Sequence, residues 1–219
     1  LKTIASEYQK AANSYVSSLR EQNTFRSKFV STEEELTSQI NSLVSAQKKE
    51  YDNLCSVIGS NNENNNNMDK LQQKVTTVNL AHTLQEDIDQ IGIQERNYII
   101  NLANEDKSEK YAQQTLTAFN HAEKTAQKLI NSFNEPKDKE TGRSLLSQIQ
   151  NTKKVFQNIV AKENTKDQNK ATMVTKAQTF LNTANNIEED ELQEMAAAQN
   201  SATTNLIISL VKSSEIRLF

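Results

Sequence analysis

The sequence predicts an all-α protein: six helices forming two stacked four-helix bundles that share long helices in an elongated rod. Three observations carry that expectation. The 219 residues include only 3 Gly and 1 Pro, too few to bend a β-sandwich or a doubly wound sheet. Apolar residues make up 35% of the chain and the mean hydropathy is −0.74, enough for narrow stripes on long helices but not for a thick globular core. Those stripes recur at steps of three and four along nearly the whole length, the period of a helix buried on one side.

The first helix is read over residues 1–30, with Ala5, Tyr8, Ala12, Tyr15, Leu19, Phe25 and Phe29 on one face. Thr32-Glu-Glu-Glu35 has the form of a capping box, so a second helix is expected from about residue 33, carrying Leu36, Ile40, Leu43, Leu54 and Ile58. Gly59 suits its C-cap, and Ser60 to Asn67 reads as a polar loop with Asn67 placed to cap the third helix. That third helix, 68–103, turns Leu71, Val78, Ala81, Leu84, Ile88, Ile91, Tyr98 and Leu102 inward. Asn104-Glu-Asp106 breaks and recaps the chain for a fourth helix over 106–133, with Leu116, Phe119, Ala122, Ala126 and Leu129 inward. Pro136 suits the first turn of a fifth helix, 137–162. Thr165-Lys-Asp-Gln168 reads as another capping box, and a sixth helix is expected unbroken to the C-terminus. At 1.5 Å per residue that last helix is roughly 80 Å long, against roughly 40 Å for helices one, two, four and five. One long helix thus matches two short ones end to end, with both termini at one end of the rod.

Charge and motif content exclude several functions. With 25 basic and 28 acidic residues interspersed, the net charge of −3 offers no basic face for nucleic acid. The lone Cys55 permits no internal disulfide. His82 and His121 lack Cys or carboxylate partners at ligand spacing, so no metal is expected. No nucleophile–base pair, Gly-rich phosphate loop or HExxH pattern is present, so no enzyme and no cofactor are expected. Leu206-Ile-Ile-Ser-Leu-Val211 is too short to span a bilayer. The start at Leu1 rather than Met suggests removed flanks, with membrane spans expected beside both ends.

Two stretches seventy positions apart look alike. Phe25-Arg26-Ser-Lys-Phe29-Val30-Ser31 and Glu95-Arg96-Asn97-Tyr98-Ile99-Ile100-Asn101 each set an Arg one turn before bulky apolar residues at the expected end of a helix. In this motif, and in helix order and length over the whole chain, the sequence resembles the helical bimodular periplasmic sensor domains of methyl-accepting chemotaxis proteins and related sensor histidine kinases. The resemblance implies one sensor domain over 1–219 with a membrane-proximal module (about 1–80 plus 190–219) and a distal one (about 81–189). It also implies a periplasmic domain of an inner-membrane protein, a homodimer, and a small ligand, a carboxylate among the family's choices, held between helices.

An Arg on an inward stripe is costly to desolvate unless an anion meets it, and its forked donors match a carboxylate. Arg26 continues the Tyr15, Leu19, Gln22 stripe, with Arg20 six residues before it; Arg96 is flanked by the neutral donors Asn97, Tyr98 and Asn101. The competing reading pairs each Arg with a Glu of an adjacent helix, or lets its head reach water. On the last helix Gln199, Asn200, Thr203 and Thr204 are candidate donors, but Gln193 to Thr204 has no Arg or Lys, so a dicarboxylate would be undercompensated there. An amine, a neutral solute, a monocarboxylate or no ligand at all fits that stretch better. Two alternatives remain open: a kinase sensor reading a periplasmic binding protein, and a structural helical-bundle protein.

Overall fold

The structure, a computed structural model, describes residues 2–60 and 65–215. They form four helices, α1 (Lys2–Ser60), α2 (Asn65–Ile100), α3 (Glu105–Ser132) and α4 (Pro136–Glu215), and no strand occurs among the described residues. The all-α expectation holds. The number of helices does not, because two expected breaks are absent: helices one and two are the single α1, and helices five and six the single α4.

The reason is local. Neither Thr32 nor Thr165 is accompanied by a Gly or Pro, and a capping-box pattern without a breaker competes with an intact apolar stripe. Along α1 the inward positions Phe29, Glu33, Leu36, Ile40, Leu43 and Gln47 keep a seven-residue repeat across the supposed boundary. Thr32 Oγ1 turns back to the Phe29 carbonyl at 3.0 Å, the bond of a hydroxyl inside a helix. Along α4 the buried positions Leu145, Ile149, Thr152, Phe156, Ile159 and Glu163 run to the second supposed boundary, and half-buried Lys166 and Asn169 continue them.

The other breaks fall where the sequence places them. Asn104 is the N-cap of α3, accepting from the Lys107 amide at 3.0 Å, with Glu105 and Asp106 complementing the helix dipole in the first turn. Pro136 opens α4, where its missing N–H is not needed. Gly59 lies within the last turn of α1 and Asn67 within the first turn of α2, not outside them as caps; residues 61–64, the middle of the expected polar loop, lie outside the described residues.

The chain divides into two compact units, Arg20–Glu163 and Leu1–Leu19 with Asn164–Phe219. These bounds are drawn differently from the expected modules (1–80 with 190–219, and 81–189). The first unit is an up-down-up-down bundle in which every adjacent helix pair is bridged by side chains. Gln85 donates to Asn41 (2.7 Å) between α2 and α1, and His121 Nδ1 lies 2.6 Å from Asp87 between α3 and α2. Lys153 reaches Glu123 (3.0 Å) between α4 and α3, and Gln148 donates to Glu35 (2.8 Å) between α4 and α1. Its centre is aromatic: Phe156 meets Tyr98 at 5.4 Å, Phe29 at 5.9 Å and Phe119 at 6.3 Å between ring centroids, so one ring from each helix joins the cluster. Around it pack Leu36, Ile40, Leu84, Ile88, Leu129 and Ile149, each at most 1% exposed.

The second unit pairs two antiparallel segments. Asn169 donates to Ser18 Oγ at 2.6 Å and Lys176 meets Glu7 at 2.7 Å. The Lys176 hydrogen bond holds the Glu7 carboxyl below its usual range. The apolar contact is thin, with Ala11 the buried apolar residue of the α1 segment. From Glu188 to Lys212 every residue of α4 is exposed, including Leu192, Met195, Leu206 and Leu210. No helix among the described residues is long and apolar enough to cross a membrane.

Candidate functional site

The inward repeat of the bundle is apolar over most of its length and turns ionic near one end. On α2 it runs Thr77, Ala81, Leu84, Ile88, Ile91, Glu95, Tyr98; on α1 it runs Gln22, Arg26, Phe29, Glu33, Leu36; on α4 it ends Phe156, Ile159, Glu163. Four core positions on three helices are therefore charged: Arg26, Glu33, Glu95 and Glu163.

Arg26, half-buried, places Nη2 3.6 Å from Glu163 Oε2, and Glu163 is 5% exposed. The pairing of an inward Arg with a Glu of a neighbouring helix, weighed from sequence, is what this side chain does. The contact is long for a charge-assisted hydrogen bond, and Arg26 Nε has no hydrogen-bond partner among the described residues.

Glu95 stands differently. It is 8% exposed, yet among the described residues it makes no ion pair and no side-chain hydrogen bond. Burial pushes its carboxyl up to about 7, with the charge of Glu33 adding to the effect and Arg96 and Arg26 opposing it. Glu33 is raised in the same direction, again by burial first, against the pull of Arg96. The Glu95 side chain is packed between the helices while its carboxylate oxygens reach solvent at the surface it lines, so any partner must come from that side.

A groove of about 930 Å³ between α1 and α2 supplies the setting. Glu33, Glu34 and Glu95 give it three carboxylates, Arg96 one cation, and Thr37, Ser38, Asn41 and Ser42 a wall of hydroxyl and amide groups. Gly92 floors it. A Cβ there would overlap Glu33 Oε1 and stand 3.6 Å from Arg96 Nη2, so the missing side chain is what lets the Glu33 carboxylate lie against α2. A second cavity of about 210 Å³, toward the other end of the bundle, is a contrast. Several of its polar groups satisfy one another: Lys74 pairs with Glu50, and Gln73 exchanges hydrogen bonds with Asn134 at 2.7 and 2.8 Å.

The residues singled out from sequence scatter. Arg96 lines the groove and is exposed. Asn97 and Asn101 are half-buried, and Asn101 Nδ2 donates to the Asn97 carbonyl at 2.8 Å, stitching the end of α2. Tyr98 is 3% exposed and faces the aromatic core through Phe156. Arg20 is exposed on α1. Gln199, Asn200 and Thr203 are exposed on α4 in the other unit, where Thr203 Oγ1 donates to the Gln199 carbonyl at 2.9 Å. Sequence reasoning passed over Glu33, Glu95 and Glu163. The signal was present, since each occupies a position where the seven-residue repeat demands an apolar side chain. Among the described residues no group of three or more His, Cys, Asp and Glu could hold a metal ion. No known protein family, curated protein or solved structure matches the chain, so a functional reading rests on this groove and the charged positions behind it.

Proposed function

We propose that the chain is the extracytoplasmic sensor domain of a transmembrane chemoreceptor or related receptor, and that it binds a small solute in the groove between α1 and α2. The observation that carries this is Glu95, a largely buried side chain lining a roomy polar groove with no ion-pair partner among the described residues. A ligand that fills the groove touches both helices at once and favours whichever relation of α1 to α2 suits it, which is how binding becomes a population shift. Signal would leave through the last helix, and α4 is continuous from Pro136 to Glu215.

A homodimer belongs to the same proposal. The expected second four-helix bundle is not built from one chain here, since the described residues of the Leu1–Leu19 and Asn164–Phe219 unit form two helical segments. Two copies of that unit would supply four, and the exposed Leu192, Met195, Leu206 and Leu210 are the apolar surface such an association would cover. A periplasmic location and flanking membrane spans complete the proposal.

Thermal-shift screening against small acids, amines and amino acids tests the binding. At least one class should raise Tm, and Arg96→Ala and Glu95→Gln should alter the response, because both side chains line the groove. A ligand whose effect is untouched by either substitution would place binding elsewhere. Absence of any shift at millimolar ligand would overturn the small-solute reading.

A further inference from the structure

Resting on the groove reading above, we infer that the groove selects an organic cation, a small primary amine, whose ammonium group is held by Glu95 and Glu33. The family resemblance alone would favour carboxylates. The lining argues the reverse: among the described residues three carboxylates share it with one guanidinium. A dicarboxylate brought in would meet Arg96 and then two or more like charges, which disfavours its ionised form in a partly desolvated site.

Glu95 supplies the independent observation. It is more than nine-tenths buried, it lines the groove, and among the described residues it has neither a hydrogen-bond donor nor an ion-pair partner. An alkylammonium brings three N–H donors and a full positive charge, which answers both deficits at once. Glu33 is held beside it because Gly92 leaves room for its carboxylate. The hydroxyl and amide groups of Thr37, Ser38 and Asn41 remain for a polar or second ammonium end. A divalent metal is the poorer occupant, since no cluster of three or more metal-ligating side chains exists among the described residues.

Three four-carbon probes of equal length separate the chemistries: 1,4-diaminobutane, 4-aminobutyrate and succinate, titrated calorimetrically into the full chain. The diamine should bind tightest, 4-aminobutyrate at least tenfold more weakly, and succinate not measurably. Glu95→Gln should weaken the diamine at least tenfold while keeping the fold, because it neutralises a buried charge and conserves shape. The charges facing Glu95 are Glu33 and Arg26 from α1 and Arg96 from its own helix. Wild-type affinity for the diamine should rise from pH 6 to 8, as the carboxylate ionises, and the rise should be much smaller in Glu95→Gln. Succinate binding in preference to the diamine would overturn the cation assignment and leave the groove standing as a solute site. So would equal diamine affinity in wild type and Glu95→Gln. If none of the three probes binds, and a wider panel of amines also fails, the assignment falls together with the small-solute reading.

Discussion

Replacing Glu95 by Gln should make the ligand-free protein more stable, and only above mildly acidic pH. An unfolded Glu titrates near 4.5, whereas burial and the neighbouring Glu33 charge lift Glu95 to about 7 in the folded chain. The folded state therefore holds the proton more tightly than the unfolded one. The stabilisation from the protonated form is complete below 4.5 and is lost as pH rises through about 7. At 1.36 kcal/mol per pH unit the full displacement corresponds to no more than about 3.4 kcal/mol. The carboxylate borders an open groove, so solvent screening reduces the expected effect to about 1–2 kcal/mol. Urea unfolding followed by circular dichroism, repeated at half-unit steps from pH 4 to 8, measures it. The two proteins should coincide near pH 4 and separate progressively, with Glu95→Gln ahead by about 1–2 kcal/mol at pH 8. The urea dependence should be unchanged, so that the midpoint alone moves. Curves that stay parallel over this range, or a variant less stable at pH 8, would refute the account of Glu95 as a buried, unpartnered acid.

Phe156→Ala removes the ring that meets Tyr98, Phe29 and Phe119, and should cost about 3–5 kcal/mol in urea unfolding; a loss under 1 kcal/mol would mean the cluster is not packed as described. Gly142→Ala and Gly92→Ala should part company although both lie inside helices. At Gly142 a Cβ meets Ile130 Cγ1 at 2.7 Å and the Phe133 ring at 3.2 Å, buried groups that cannot yield easily, so overpacking should destabilise by about 1–3 kcal/mol. At Gly92 the obstacle is the end of the Glu33 side chain, which can swing away; the gain in helix propensity, about 1 kcal/mol, should leave stability nearly unchanged while amine binding falls. Arg26→Met leaves Glu163 buried without its guanidinium and should cost about 1–3 kcal/mol, largely recovered in the Arg26→Met, Glu163→Leu double variant.

Much of the fold was legible because the seven-residue repeat is strong where it is apolar. Phe119, Ala122, Ala126 and Leu129 of α3 face the core as their spacing requires, Leu116 is half-buried beside them, and the Asn104 and Pro136 boundaries follow from capping chemistry. What misled was the same capping chemistry at Thr32 and Thr165. A hydroxyl followed three residues later by Glu or Gln also occurs on any exposed helix face, and only the continuation of the buried repeat tells the two apart. That continuation runs through Glu33 and Glu163, the charged residues that were not counted as part of a stripe. The missed site and the missed helix continuity thus have one cause. The Arg motif led to Arg96, which lines the groove, and to Arg26, which lies behind it on Glu163. The spacing of the two motifs could not tell an Arg facing a groove from one paired within the bundle, because that depends on the neighbouring helix.

A bundle selected for stability alone would have no reason to keep these positions charged. Leu at residue 95 would extend Ile88 and Ile91 toward Tyr98, fill an inward position and leave nothing to desolvate. Burying an ionised side chain costs several kcal/mol unless a partner is present, and replacing such groups by apolar ones is often neutral or stabilising. The charges are also not distributed as a specificity device would be, one polar residue fixing the register of a long seam. Arg26, Glu33, Glu95 and Glu163 flank the aromatic cluster toward the end where α2 passes into α3, while the rest of the bundle's buried positions are aliphatic or neutral polar. Concentrating the unfavourable term in one place, beside the larger groove, is the arrangement expected when the missing partner comes from solution. It sets the direction of the energetics: the ligand-free bundle is less stable than its apolar equivalent at neutral pH, and an occupant that satisfies Glu95 restores the difference.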